Sequence, residues 1–432
     1  MTIEALYQIF LQCPIVETDT RKIKKGAIFF ALKGLNFNGN TYAQKAIELG
    51  ASFCVCDEQT IYTSDKIIYV NNVLNTLQAL AKYHRRQLNT LPNGRQVPFI
   101  AITGSNGKTT TKELVYAVLN TTFKCYTTKG NLNNHIGVPL TILSVQKDAE
   151  IAIIEMGANH QKEIEGYCAY TLPTHGLITN CGKAHLEGFG GEEGVKKGKG
   201  ELYNFIAENN GTIFINSDYD YLQTMSKKVR HKITYGSTKA TYTGIVIEDA
   251  HFLKVAVSTP NSNFEIQTQM AGNYNMPNLM SAVCIGKHFG VSDEKIKESI
   301  ENYAPSNSRS QIIKIGSNTI LLDAYNANPS SMKAAIENFA AMEGHHKIII
   351  LGGMMELGDE SLAEHDGVVA LLQKYNWEKI ILAGKDYQQL PNNFIHFATS
   401  EEVADWYKIQ DFQNKHILIK GSRGMAMEKV IL

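Results

Sequence analysis

Short apolar runs, punctuated by glycine and asparagine, set the rhythm of this chain. Near its start, 28-IFFAL-32, 52-SFCVC-56 and 67-IIYV-70 are too short for helices and predict strands. Between them, 41-TYAQKAIELG-50 spaces its apolar positions helically and stops at a glycine. That alternation predicts a small α/β unit. The polar stretch 88-LNTLPNGRQVP-98, with its two prolines, reads as a linker.

Beyond it, 99-FIAIT-103 is a buried-strand run that passes straight into a glycine turn and the helical pattern 108-KTTTKELVYAVLN-120. Further buried runs stand at 151-IAIIEMG-157 and 176-GLITN-180. Strand runs alternating with helical patterns predict a parallel, doubly wound sheet. From about residue 305 the rhythm resumes with 319-TILLDAYN-326, 347-KIIILGG-353, 379-KIILAG-384 and 416-HILIKGSRG-424, each ending in a turn that contains Gly or Asn. The expectation is an α/β protein of three domains: residues 1–90, a central 91–305 and a Rossmann-like 306–432.

Composition narrows the field. Lys+Arg and Asp+Glu both number 42, so the chain has no basic excess for nucleic acid or an anionic membrane surface. Seven cysteines without a C-x-x-C pair fit the reduced thiols of a cytoplasmic protein. The opening MTIEALYQIFLQC is not a secretion signal, and no apolar run suffices to span a bilayer.

The candidate chemistry begins at 102-ITGSNGKTTTKE-113. A phosphate loop usually reads G-x-x-x-x-G-K-[ST], but the position of the first glycine is here Ile102, and the nearest earlier glycine is Gly104. The context still suits phosphate. A strand ends, Gly104 and Gly107 turn the backbone, Lys108 opens a helix with a positive N-terminal dipole, and Thr109 offers a hydroxyl to Mg²⁺. Glu155 ends a buried strand, where a carboxylate meets a ligand crevice and could hold that ion. His185 follows another strand in a glycine-rich loop, as a metal ligand or an ordinary surface histidine. Lys196, Lys197 and Lys199 crowd 194-GVKKGKGELY-203, and composition does not choose among them.

TGSNGKTTTKE, EMGANH, NCGKAHLEGFGG and KGKGEL, in this order, resemble the Mur ligases, ATP-dependent amide-bond ligases of peptidoglycan precursor synthesis. Within the family, 18-TDTRKIKKGAIFFALKG-34, 129-KGNLNNHIGVPLTIL-143, 323-DAYNANPSSM-332 and 351-LGGMMELGDE-360 are similar to the branch that joins D-alanyl-D-alanine to UDP-N-acetylmuramoyl-tripeptide. The short G-x-x-G-K-[ST] loop is the family's own form.

The resemblance implies residue roles. Gly104, Ser105, Asn106, Gly107, Lys108, Thr109 and Thr110 would cradle the ATP phosphates. Thr109 and Glu155 would hold a first Mg²⁺ and His185 a second. Lys199 would be the family's carbamylated lysine, an anion formed with CO2. Asn275 and Asn278 would lie against the base, Arg309 near the γ-phosphate and Asp323 near the ribose. Thr20 and Arg21 would meet the UDP moiety, and Asn133, Asn134 and His135 would face the muramoyl-peptide. Tyr325, Asn326 and Asn328 also fall on the substrate side. Two positions depart from the pattern: Tyr274 replaces a histidine, and Gly353 replaces an aspartate that Glu356 could stand in for.

The implied catalytic set is therefore Lys108, Lys199, His185 and Arg309, in a monomeric cytoplasmic enzyme whose domains close on the substrates. Sibling ligases are the nearest rivals. A folylpolyglutamate synthase would not be expected to have the TDTRKIKKGAIFFALKG region. An amino-acid-adding Mur ligase would show D-N-P-R where DAYNANP stands. A regulatory nucleotide switch would show N-K-x-D, which does not occur.

Overall fold

The computed structural model describes residues 1–58, 64–88, 94, 96–249, 252–306 and 308–431. Three principal sheets organise them. The first is a four-stranded parallel sheet that sets Val16–Glu17, Ile28–Phe30, Phe53–Cys56 and Ile67–Tyr69 side by side. The predicted helix near 41–50 is present as Ala43–Glu48, entered through a 3-10 turn at Gly39–Tyr42. The longer helix Val73–Gln87 is capped by the Asn72 side chain, which accepts from Asn75 N. Its Leu77, Leu80, Ala81 and His84 fall on one buried face, as a 3.6-residue period dictates.

That face joins the first sheet to the centre of the molecule. Arg85 is 1% exposed and donates from Nε to Thr171 O and from Nη2 to Val97 O and Leu172 O. Its guanidinium also lies 3.8 Å from the Phe99 ring centroid. Most of the expected linker, residues 89–93 and 95, lies outside the described residues, as does the boundary at 90/91.

The central sheet has nine strands. Phe99–Thr103 lies between Ile151–Glu155 and His175–Ile178, all parallel. The order reverses around Phe99–Thr103, so a crevice opens beyond its carboxyl end. The expected parallel sheet is present and carries an antiparallel edge. The parallel array runs from Cys125–Thr127 at one edge to Tyr242–Asp249, and Leu253–Ser258 and Asn263–Gln267 then extend it antiparallel. Leu253, Val255 and Val257 are buried while their neighbours are not, the two-residue alternation of a strand with one solvated face.

The third sheet orders Gln311–Ile315, Asn318–Asp323, His416–Lys420, Lys347–Gly352, Lys379–Ala383 and Ile395–Phe397, antiparallel only at its first pair. All seven cysteines are unpaired. Among the described residues no helix is long and apolar enough to cross a membrane.

Candidate active site

The strand Phe99–Thr103 is buried throughout and delivers the loop 104–107 to the crevice. Gly104 and Gly107 take φ of +142° and +78°, and Gly107 is the N-cap of the helix Lys108–Leu119 with no capping side chain. The first N–H groups of that helix are thus left for a ligand. A Cβ on Gly107 would lie 2.4 Å from Asn278 Oδ1, and one on Gly104 2.0 Å from Thr179 Oγ1. The loop is braced from the neighbouring strand. Ser105 N donates to Asn180 O at 2.9 Å, Asn106 N to Asn180 Oδ1 at 3.0 Å, and Thr179 Oγ1 to Asn106 O at 2.6 Å.

Lys108 folds back over this loop and donates from Nζ to Gly104 O at 2.7 Å and Ser105 O at 3.0 Å. Burial pushes its pKa down to about 8, a shift that Glu155 opposes and Arg309 reinforces. Glu155, 1% exposed, accepts on Oε1 from Thr109 Oγ1 at 3.1 Å and from Asn133 Nδ2 at 2.7 Å. Its Oε2 is buried without a hydrogen-bond partner. A desolvated carboxylate oxygen beside a hydroxyl fits a cation, and Mg²⁺ typically takes one or two carboxylates and completes its shell with phosphates and water. The donor set suits that mode. Among the described residues no group of three or more His, Cys, Asp or Glu could hold a metal ion.

Around this core lies a cavity of about 1060 Å³ at the meeting of the central and third sheets. It collects nearly every residue singled out from the sequence: Ser105 through Thr110, Asn133, Asn134, His135, Glu155, His185, Asn275, Asn278, Arg309, Asp323, Tyr325, Asn326 and Asn328. Gly104 turns the chain just behind it. Thr20 and Arg21 do not line it. They form an exposed 3-10 turn in which Arg21 pairs with Asp19 at 2.7 Å, holding that carboxyl down to about 2.

Several of these residues have unexpected partners. Asn278 accepts on Oδ1 from Thr111 Oγ1 at 3.1 Å and donates to Asn275 Oδ1, and Asn275 donates to Ala271 O. This asparagine ladder braces the loop's helix from below. Asp323 receives Lys420 Nζ at 2.6 Å and Ser310 N at 3.0 Å. The Arg309 guanidinium stacks 3.4 Å from the Tyr325 ring centroid. His185, in a left-handed conformation with φ +53°, presents Nδ1 to the Glu356 carboxylate of the third domain. Glu356 therefore faces His185. Gly353 has room for a larger side chain, with His365 Nε2 3.4 Å from a Cβ position.

Lys199 lies behind the cavity wall. It is 1% exposed on the helix Glu192–Glu208, donates to Ala158 O at 2.9 Å and sits 4.8 Å from the Phe189 ring centroid. Burial above all, then the charge of Lys108, pushes its pKa down to about 7. Lys196 instead pairs with Glu193 at the surface.

The sequence reading missed Lys183, Lys420 and Asn180. Lys183 donates to Glu364 at 2.6 Å from Nζ and to Ser330 Oγ at 2.9 Å from its backbone. Lys420, 2% exposed, had a signal: a lysine closing the apolar strand 416-HILIK-420 needs a buried anion.

With this geometry in view, the comparisons with known proteins are decisive. Three family profiles tile the chain: the Mur ligase family catalytic domain at residues 13–92, the Mur ligase middle domain at 102–286, and the Mur ligase glutamate ligase domain at 308–423. A relative in Bacillus subtilis (strain 168), named UDP-N-acetylmuramoyl-tripeptide--D-alanyl-D-alanine ligase, is 31% identical over 96% of this chain and 92% of its own length. The chain belongs to the Mur ligase family. A relative of the same name in Escherichia coli (strain K12) is 33% identical, again over 96% of this chain and 92% of its own. The crystal structure of MurF from Acinetobacter baumannii superposes with a TM-score of 0.89 at 27% identity, covering 100% of this chain and 97% of that one. As a Mur ligase this chain is an enzyme, and its α/β architecture is the family's own.

Proposed function

We propose that this Mur ligase adds D-alanyl-D-alanine to a UDP-N-acetylmuramoyl-tripeptide, driven by ATP through an acyl phosphate, in the bacterial cytoplasm. The observation behind this reading is the convergence of Lys108, Arg309 and the orphaned Glu155 oxygen on one cavity bounded by two domains. The names of its relatives over nearly their whole length supply the substrates.

A carboxylate resists an amine because its oxygen is a poor leaving group. Phosphorylation makes that oxygen a good one, provided that the charge on the transferring phosphoryl is neutralised. Lys108 would exchange its two loop carbonyls for phosphate oxygens, and Arg309 would approach the terminal phosphate from the third domain. The dipeptide amine would then attack the activated carbonyl, and the tetrahedral intermediate would lose phosphate and leave an amide. Mg²⁺, held by Glu155 and Thr109, would supply Lewis-acid neutralisation. A second ion would lie towards His185.

In our reading residues 1–90 bind the UDP precursor, 91–305 bind ATP and 306–432 bind the dipeptide. Lys199 would react as the free amine with CO2, forming a carbamate and releasing one proton, and its lowered pKa supports this. A lysine carbamate is an anion, and so could serve a cation where an ammonium could not.

Phosphate release measured with each reactant withheld in turn tests the proposal, using the lysine and the diaminopimelate tripeptides side by side. Release is expected only with ATP, one UDP-tripeptide and D-alanyl-D-alanine together. Equal release without the dipeptide would overturn it. Lys108→Ala should form no acyl phosphate, trapped by hydroxylamine as the hydroxamate.

A further inference from the structure

We propose that Tyr274 is a positioning residue that fixes Arg309 for nucleotide terminal-phosphate recognition by pinning the turn 308–310 across the junction of the central and third domains. This rests on the nucleotide reading of the cavity.

Tyr274 belongs to the 3-10 turn Asn273–Asn275 of the central domain, and it lines the cavity. Its hydroxyl meets Ser310 Oγ at 2.8 Å. Ser310 N in turn donates to Asp323 Oδ1 at 3.0 Å, and Asp323 Oδ2 accepts from the buried Lys420 at 2.6 Å. One hydrogen-bonded line thus runs from the central domain, through the crossing segment, into the third sheet. A second bridge lies alongside, from Asn273 N to Asn338 Oδ1 at 3.2 Å.

The segment it grips is under strain. Ser308 and Ser310 have φ of +56° and +50°, a left-handed conformation that L residues with a Cβ rarely adopt. Such residues persist where their surroundings over-determine them. Arg309 lies between these two serines. Its guanidinium is stacked on Tyr325 and close enough to Lys108 for each charge to oppose the other. Lys108 and Arg309 face one cavity and repel each other, and the Tyr274–Ser310 contact holds the turn that carries Arg309 against that repulsion. Freed of the contact, the turn relaxes towards ordinary dihedrals and Arg309 leaves the phosphate side of the cavity.

The test compares nucleotides that differ by one phosphate. Dissociation constants for Mg²⁺–AMP-PNP and Mg²⁺–ADP are measured by calorimetry on the full chain. Tyr274→Phe keeps the ring and removes the hydroxyl, and Ser310→Ala removes the other partner. Each is expected to weaken AMP-PNP about tenfold, one charge-assisted contact, while ADP is unchanged. In an Arg309→Ala background, Tyr274→Phe is expected to add nothing further.

Wild-type AMP-PNP binding in both single variants would overturn the proposal. So would equal weakening of both nucleotides, or a full further loss in the Arg309→Ala background. If Tyr274→Phe lowers the thermal midpoint, Ser310→Ala decides alone. A wild type that binds AMP-PNP but releases no phosphate with the peptide substrates would refute the ligase reading and leave this one standing.

Discussion

Lys108 and Lys199 are lysines that the fold has taken out of water, each with backbone carbonyls for company. Their lowered pKa values have the same first cause, desolvation of the ammonium, and the charge of Lys108 lowers that of Lys199 further. For Lys199 the working sign is clear. Above its pKa of about 7 the amine is mostly free and able to take up CO2; below it the ammonium cannot. Stimulation of turnover by bicarbonate should therefore fade as pH drops below about 7. Lys199→Ala should lose about a hundredfold or more in kcat, with partial recovery in added acetate. Near-normal turnover in that variant would refute the carbamate. Gly107 permits a different residue-scale prediction. Its φ of +78° costs an L residue about 1–2 kcal/mol, and a Cβ would meet Asn278 Oδ1 at 2.4 Å. Gly107→Ala should thus weaken ATP binding by about tenfold or more, read by calorimetry. This part of the site was legible because the chemistry of a phosphate loop is local: strand, glycines, lysine and hydroxyl are adjacent in sequence. Asn275 and Asn278 line the cavity, but their ladder to Thr111 was not legible, since it joins residues 167 apart.

At the scale of elements, the helix Val73–Gln87 ties the first domain to the centre. His84 is 4% exposed, with the Tyr7 hydroxyl 3.2 Å from Nδ1 and Val145 O 2.8 Å from Nε2. Burial lowers its pKa below the usual 6.5. An imidazole held neutral in the fold protonates more readily once unfolded. Its stabilising contribution is therefore present above about pH 6.5 and is lost as pH falls below it. His84→Gln should flatten the acid limb of the stability profile below about pH 6.5, measured by urea unfolding. An unchanged acid limb would remove His84 from the account. The strands around this joint were readable, because runs such as 99-FIAIT-103 are buried on both faces and uniformly apolar. The hairpin built on Leu253–Ser258 was not. Its alternation is plain in hindsight, but it spans only six residues and follows an otherwise parallel pattern.

Across the whole molecule, the third domain meets the centre through polar bridges between residues far apart in sequence. Lys183 joins Glu364, Asn328 donates to Asn106 Oδ1 at 2.8 Å, and His185 faces Glu356. No apolar periodicity encodes such contacts, so the sequence shows three domains without showing how they meet. Lys183→Glu replaces attraction to Glu364 by repulsion. It should enlarge the radius of gyration in small-angle scattering without ligands, with the difference narrowing when ATP and substrates are added. An identical scattering profile would show that these bridges do not hold the third domain against the centre.

Asn106 has a double attachment. It is part of the loop that would cradle phosphate, yet its side chain is held by Asn328 at the start of the helix Pro329–Ala341. The cradle is also a doorstop. A ligand in this loop would sit one side chain away from the third domain's helix Pro329–Ala341.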